Sequence, residues 1–263
     1  MNRFFSLAGK VALITGGARG LGRMIAEGFV EAGARVFITS RTGELCEAAA
    51  KEIGAIALPG DAGSPDGIAT LGERFRKHGE ERLHILVNNA GRTWGAPLDD
   101  FPDRAWASVL AVNVQAPFRL TQEVLPQLEA AAVAKDPARI INIGSVAGAV
   151  TNTLNAYSYI ASKAALHQLS RQMARDLAPR RINVNALLPG FFATSMTAHL
   201  RAEPGQALEA QIPMGRLGEP EDIAGAAIFL AGPAGAYLTG IELPVDGGLT
   251  GCGWIAGQMP PVV

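Results

Sequence analysis

Short runs rich in Val, Ile and Leu alternate with longer amphipathic stretches from one end of this chain to the other. That alternation constrains the fold more than any other feature. The runs are KVALITG (10–16), ARVFITS (34–40), AIALPG (55–60), LHILVNNAG (83–91), ARIINIGS (138–145), RINVNALLPG (181–190) and IELPVDGG (241–248). Their length and β-branched content predict strands. Helices are expected between them, near 20–32, 43–53, 65–78, 102–132, 155–178 and 219–231. Parallel strands need crossovers of a dozen or more residues, and helical crossovers bury both faces of the sheet. The expected fold is therefore α/β: a doubly wound parallel sheet of about seven strands, helices on both faces, in a single domain over residues 1–263. Ligands in such sheets bind beyond the carboxyl ends of the strands, so chemistry is sought there.

Composition narrows the partners. The 263 residues are 48% hydrophobic and 18% charged, with no linker-like stretch that would divide them. A formal net charge of -1 with scattered basic residues gives no footprint for nucleic acid or an anionic membrane and favours a small neutral or anionic substrate. Cys46 and Cys252 form no CxxC pair, and His78, His84, His167 and His199 show no metal-ligand spacing, which points to a reducing, cytoplasmic setting without a structural metal. The apolar run at the N-terminus is broken by Ser6, Gly9 and Lys10, unlike a secretory signal. The uncharged stretch 223–241 is interrupted by Gly232 and Pro233 and reads as a core helix, a turn and a buried strand rather than a membrane span.

The strand ends are rich in Gly, Asn and Ser. TGGARGLG, Thr15 to Gly22, follows the first strand and opens the first helix, where glycines permit a tight turn and close approach of a pyrophosphate to free helix N–H groups. The turn could also be only a tight strand-to-helix connection. At the end of the second strand an NAD-preferring Rossmann protein carries an acid for the ribose 2'-hydroxyl. Here Ser40 and Arg41 stand instead, and Arg19 lies in the glycine-rich turn. Two guanidinium groups flanking an adenosine pocket suit a 2'-phosphate, hence NADP(H), although each alone could be a solvated surface residue.

NAYSYIASKAALHQL (155–169) offers two tyrosines and one lysine. Helical residues four apart share a face, so Tyr159 and Lys163 are neighbours while Tyr157 is not. A phenol with an ordinary pKa near 10 needs a nearby cation to exchange protons at neutral pH, and Lys163 would supply it. The bland alternative is a core-packing tyrosine and a surface lysine. Three further observations weigh against it: Ser145 just past an apolar strand, NNAG (Asn88 to Gly91) closing another, and Asn113 inside a helical stretch where Asn is a poor former.

These motifs together resemble the classical short-chain dehydrogenases/reductases over nearly the full length: TGxxxGxG at 15–22, NNAG at 88–91, Asn113, Ser145, Tyr159xxxLys163 and PGxxxT at 189–194. WGAPL, INIGSVAG, SKAALHQLSRQMA and IPMGRLGEPEDIA look closest to β-ketoacyl reductases, including the type associated with rhamnolipid synthesis. The resemblance implies a Rossmann-like fold and a catalytic tetrad. Tyr159 would be the general acid in reduction; Lys163 would lower its pKa and hold the nicotinamide ribose. Ser145 would position the carbonyl, and Asn113 would hold a water connecting Lys163 to solvent. Gly16, Arg19, Gly20, Leu21, Gly22, Ser40, Arg41, Asp61, Ala62, Asn89, Ala90 and Gly91 would line the adenosine and pyrophosphate side. Pro189, Gly190, Phe192 and Thr194 would seat the nicotinamide, with Phe192 replacing the family's usual branched aliphatic.

Around this set, Trp94, Ser145, Phe191 and Met196 are substrate-lining candidates, and 193–215, with Met196, His199 and Leu200, reads as a substrate lid or a pair of surface helices. Tyr157 and His167 read as packing residues. Expected is an NADP(H)-dependent enzyme interconverting a ketone and a secondary alcohol, with a 3-oxoacyl thioester as substrate, assembled as a homotetramer or homodimer. A sugar, polyol or steroid dehydrogenase is the enzymatic alternative, and a non-catalytic dinucleotide sensor or scaffold the alternative of another class. The tail 249–263 yields no function.

Overall fold

The computed structural model describes residues 3–151, 154–194 and 208–252. Seven strands form one sheet: β1 (Val11–Ile14), β2 (Arg35–Ser40), β3 (Ile56–Pro59), β4 (Ile85–Asn88), β5 (Ala138–Ile143), β6 (Ile182–Pro189) and β7 (Glu242–Val245). Their order is β3-β2-β1-β4-β5-β6-β7, and every pairing is parallel. The order reverses between β1 and β4. Connections from the two strands therefore leave in opposite directions and open a crevice at their carboxyl ends.

Period-two alternation assigns side chains to the two faces. On β1, Ala12 and Ile14 enter one core and Leu13 the other; on β2, Val36 and Ile38 oppose Phe37; on β4, Ile85 and Val87 oppose Leu86. The first core is closed by α1 (Gly20–Glu31), α2 (Gly43–Ile53) and α8 (Pro220–Ala231). The second is closed by α3 (Pro65–Lys77), α5 (Ala116–Glu123), α6 (Leu125–Ala131) and α7 (Tyr157–Leu177). α1 and α8 approach closely because Gly28 lies against Ala224: a Cβ on Gly28 would stand 2.7 Å from that of Ala224. α8 starts with Pro220 and a reciprocal capping box between Glu219 and Asp222, the helix start read from GEPED.

The stretch expected as one helix over 102–132 is instead divided. α4 (Asp103–Leu110) passes into a π turn (Ala111–Gln115), then α5 and α6. Pro117 and Pro126 lie at the starts of α5 and α6 and supply no N–H to the turn before them, which interrupts the regular ladder. No helix among the described residues is long and apolar enough to cross a membrane. The 223–241 stretch is the α8 helix, a 3-10 turn at Pro233–Gly235 and the approach to β7.

Candidate active site

The glycine-rich turn leaves β1 through Gly16 and enters α1 at Gly20, both with positive φ (66° and 56°). A Cβ on Gly17 would meet Ile38 at 2.7 Å, and one on Gly22 would meet the Gly16 carbonyl oxygen at 2.5 Å. At Gly17 and Gly22 the turn thus has no room for a side chain. Arg19 is the N-cap of α1 and provides no side-chain acceptor, so the first N–H groups of α1 keep their donor capacity at the crevice. Thr194 comes back over this turn, its Cγ2 3.6 Å from where a Gly20 Cβ would be.

NNAG is tied to the same turn by bonds the sequence did not reveal. The Thr15 hydroxyl accepts the N–H groups of Asn89 (3.0 Å) and Ala90 (2.9 Å), and Asn89 Nδ2 donates to the carbonyls of Thr15 (2.8 Å) and Gly16 (3.2 Å). One threonine therefore locks the ends of β1 and β4 together. Beneath it, Asn88 Nδ2 donates to Asn142 Oδ1 (2.8 Å), and Asn142 Nδ2 to Ser170 Oγ (2.8 Å), a buried polar thread from β4 through β5 to α7.

Ser40 ends β2 and Arg41 follows it, with Arg19 and Arg41 both exposed, and neither guanidinium forms an ion pair among the described residues. Asp61 follows β3; its Oδ1 accepts the Gly63 N–H at 2.9 Å, while Ala62 is buried in the second core. Pro189 ends β6 opposite Val245, and Gly190 presses on Asp246, where a Cβ would come within 2.8 Å of Asp246 Cα. Phe192 is only 2% exposed, and its ring fills the first core beneath Gly218, to which it is bridged. A place in the nicotinamide seat is thus left to its main chain. Met196, His199, Leu200 and most of the expected lid lie outside the described residues. Its far end, the 3-10 turn Leu208–Gln211 and Ile212, docks through buried Leu208 and Ile212.

The tetrad gathers where β5 ends. Lys163 is 4% exposed and its ammonium donates to the Ile143 carbonyl at 2.6 Å, two residues before Ser145. Tyr159, half-buried one turn earlier on α7, has its ring centroid 5.6 Å from Lys163 Nζ and is hydrogen-bonded by Ser145. The proton affinities depart from expectation. Burial pushes the Tyr159 phenol above its ordinary value, opposed by the Ser145 hydrogen bond. The Lys163 ammonium bonds the Ile143 carbonyl rather than the phenol. Burial lowers Lys163 itself from 10.5 to about 8.

Asn113 occupies the π turn, a helical irregularity often found at functional sites. Its Oδ1 accepts the Arg92 N–H (2.8 Å), and its Nδ2 donates to the Arg92 carbonyl (2.9 Å) and Ser162 Oγ (2.9 Å). Ser162 in turn donates to the Tyr159 carbonyl at 2.7 Å. The Asn113 side chain is thus a clamp that joins the segment after NNAG to the Tyr159 turn. Pro117, four residues on, has no N–H for the Asn113 carbonyl, and this was the signal in the sequence that marked the irregularity.

Trp94 is half-buried with the Arg104 guanidinium 5.4 Å above its ring. Tyr157 packs edge-on against Phe101 (5.3 Å, 89°) in an apolar groove with Leu98, Trp106, Ile160 and Ala161, away from Lys163 as its helical position predicts. Among the described residues no cluster of three or more His, Cys, Asp or Glu side chains is placed to hold a metal ion.

Comparison with known proteins adds relatives to this geometry. A family model described as enoyl-(acyl carrier protein) reductase matches residues 16–250. The chain is 50% identical, over 94% of its length and 99% of the relative's, to the rhamnolipids biosynthesis 3-oxoacyl-[acyl-carrier-protein] reductase of Pseudomonas aeruginosa. It is 39% identical to the galactitol 2-dehydrogenase (L-tagatose-forming) of Cereibacter sphaeroides, covering 94% of this chain and 97% of that one. The solved Pseudomonas aeruginosa RhlG/NADP active-site complex superposes with a TM-score of 0.92 at 49% identity, covering 95% of this chain and 99% of that one.

Proposed function

The chain belongs to the short-chain dehydrogenase/reductase family, and from that premise we propose that it is an NADP(H)-dependent reductase of 3-oxoacyl thioesters. The carrying observation is the convergence of Ser145, Tyr159 and Lys163 at the end of β5, beside a glycine cradle at the end of β1. The cradle fits a dinucleotide, since hindered Gly17 and Gly22 leave bare backbone beside the uncapped start of α1. Arg19 and Arg41 take the 2'-phosphate; Ser40, Asp61, Ala62 and Asn89 to Gly91 line the adenosine; Gly16, Gly20, Leu21 and Gly22 line the pyrophosphate. Lys163, Tyr159, Pro189, Gly190, Thr194 and the Phe192 main chain surround the nicotinamide ribose and ring.

When bound, NADPH supplies the hydride. Ser145 Oγ and Tyr159 Oη hold the substrate carbonyl oxygen between two hydroxyls, and charge developing on that oxygen strengthens both bonds. Tyr159 then gives its Oη proton to the forming alkoxide. Burial holds the phenol above its ordinary value, so it is protonated at neutral pH, the state a general acid needs in reduction, and the same group serves as the base in the reverse direction. Lys163, titrating near 8, is the proton-exchanging group beside it. The Asn113 carbonyl, deprived of an N–H by Pro117, is the route outward through a bridging water.

Trp94 and Phe191 line the substrate. The rhamnolipids biosynthesis 3-oxoacyl reductase matches at higher identity than the galactitol dehydrogenase, which favours a thioester over a polyol. The protein acts in the cytoplasm as a homotetramer or homodimer, which light scattering tests. The deciding assay is loss of NADPH absorbance with a 3-oxoacyl thioester beside simple ketones, sugars and ketosteroids. Tyr159→Phe is expected to lose about a hundredfold or more in turnover with its fold intact. Wild-type turnover by that variant refutes the mechanism, and turnover on another panel alone refutes the substrate class.

A further inference from the structure

His167 lies one turn beyond Lys163 on α7, 2% exposed, directly beneath the Ser145 turn. Its Nε2 accepts the Ser145 main-chain N–H at 3.3 Å. Its Nδ1 faces Glu242 Oε2 at 3.8 Å, across to β7, and Glu242 is also bonded by Arg171 one further turn along α7. The turn is shaped to the ring. A Cβ on Gly144 would collide with His167 Nε2, and one on Gly148 would come within 2.9 Å of His167 Cε1. In GSVAG, read from the sequence as the home of Ser145, Gly144 therefore leaves the space the imidazole needs, while Gly148 lies first against the α7 backbone at Lys163 and Ala164, 2.7 Å away, and then against the ring.

We propose that His167 is a positioning residue for Ser145 and that turnover requires its neutral, Nδ1-protonated form; this rests on the reductase reading above. A neutral imidazole that accepts at Nε2 must carry its hydrogen on Nδ1. Ser145 is extended (φ -170°, ψ 147°), with Oγ accepting the Ala147 N–H at 3.2 Å, so anchoring its N–H fixes the hydroxyl's direction. Protonation of Nε2 would set two donors against each other and push the turn away. The charged groups facing the ring are Lys163 and Arg171 on its own helix and Glu242 on β7, while the β5 end presents Gly144 and Gly148. Burial and the two cations disfavour the protonated ring and Glu242 favours it, with burial the largest influence.

The test compares His167→Leu, His167→Gln, Glu242→Gln and Ser145→Ala with wild type, measuring kcat and KM for NADPH and a 3-oxoacyl thioester across acid and neutral pH. His167→Leu is expected to lower kcat about five- to tenfold, the kinetic equivalent of one lost neutral hydrogen bond, and to change KM for NADPH by less than about twofold. His167→Gln offers an amide oxygen to the Ser145 N–H and does not titrate. It should recover kcat and lose the acid-side fall of the wild-type profile. Wild-type kcat in His167→Leu, or an unchanged acid-side fall in His167→Gln, overturns the proposal. If His167→Leu does not fold, Glu242→Gln decides. Removal of the carboxylate should move the acid-side fall to lower pH, and an unmoved fall overturns the idea. Full activity in Ser145→Ala would instead sink the role of Ser145, whatever His167 does.

Discussion

Lys163 keeps an ammonium in a site that burial makes unfavourable, and replacing it with Met should stabilise the protein while abolishing catalysis. The gap between 10.5 and about 8 corresponds, at roughly 1.4 kcal/mol per tenfold change in proton affinity, to about 3 kcal/mol. The folded pKa lies below the unfolded one, so the penalty is fully present below about pH 8, and stability rises as pH increases from there toward the unfolded value near 10.5. Against this, the variant forfeits the 2.6 Å bond to the Ile143 carbonyl, worth about 1–2 kcal/mol as a charge-assisted hydrogen bond. Lys163→Met should therefore be about 1–2 kcal/mol more stable than wild type near pH 7. The advantage should vanish or reverse near pH 10, where the folded wild-type lysine has shed its proton and the unfolded one begins to, so that little of the penalty is left. Urea unfolding of both proteins at matched concentration and several pH values measures the difference, in which other titrating groups cancel. A variant less stable than wild type near pH 7, with a gap that does not vary with pH, would refute the assignment of Lys163 as a burial-penalised cation.

Arg41→Asp should raise the NADPH dissociation constant about tenfold or more while moving that for NADH less than about threefold, by fluorescence titration; equal effects contradict the phosphate role. Gly22→Ala places a Cβ 2.5 Å from the Gly16 carbonyl oxygen, so it should cost about 1–3 kcal/mol and weaken NADPH binding, and an unchanged Tm would speak against the tight cradle. Gly225, exposed in α8 with open space within 4 Å of where a Cβ would stand, is the counter-case: Gly225→Ala should raise stability by about 0.5–1 kcal/mol without altering turnover. Loss of stability there would show that α8 needs that glycine.

The choice of Tyr159 over Tyr157 was legible because helical spacing alone decides which residue shares a face with Lys163, and Tyr157 indeed packs on Phe101 instead. The chemistry of the pair was not. Spacing places the ammonium near the ring, but the Ile143 carbonyl that captures it comes from another element, and burial then sets the direction of both proton affinities. Asn113 shows the same division. Its oddity inside a helix was visible, and Pro117 could have announced the π turn, yet its partners Arg92 and Ser162 meet only through the packing of α7 against the NNAG loop. Phe192 falls within a motif for the nicotinamide, but pairing with Gly218 turns its ring into the core.

By itself the sequence determined the parallel α/β sheet, since short apolar runs split by amphipathic helices leave few other ways to bury both faces. It also located the candidate site, because Gly, Asn and Ser gather where those strands stop. Only the tertiary structure decided which groups touch. The Thr15 hydroxyl that joins β1 to β4, the imidazole under Ser145 and the carbonyl that holds Lys163 are contacts between residues 20 to 75 positions apart. Local pattern carries no record of such pairings, because they arise when strand order brings distant chain ends to one edge of the sheet.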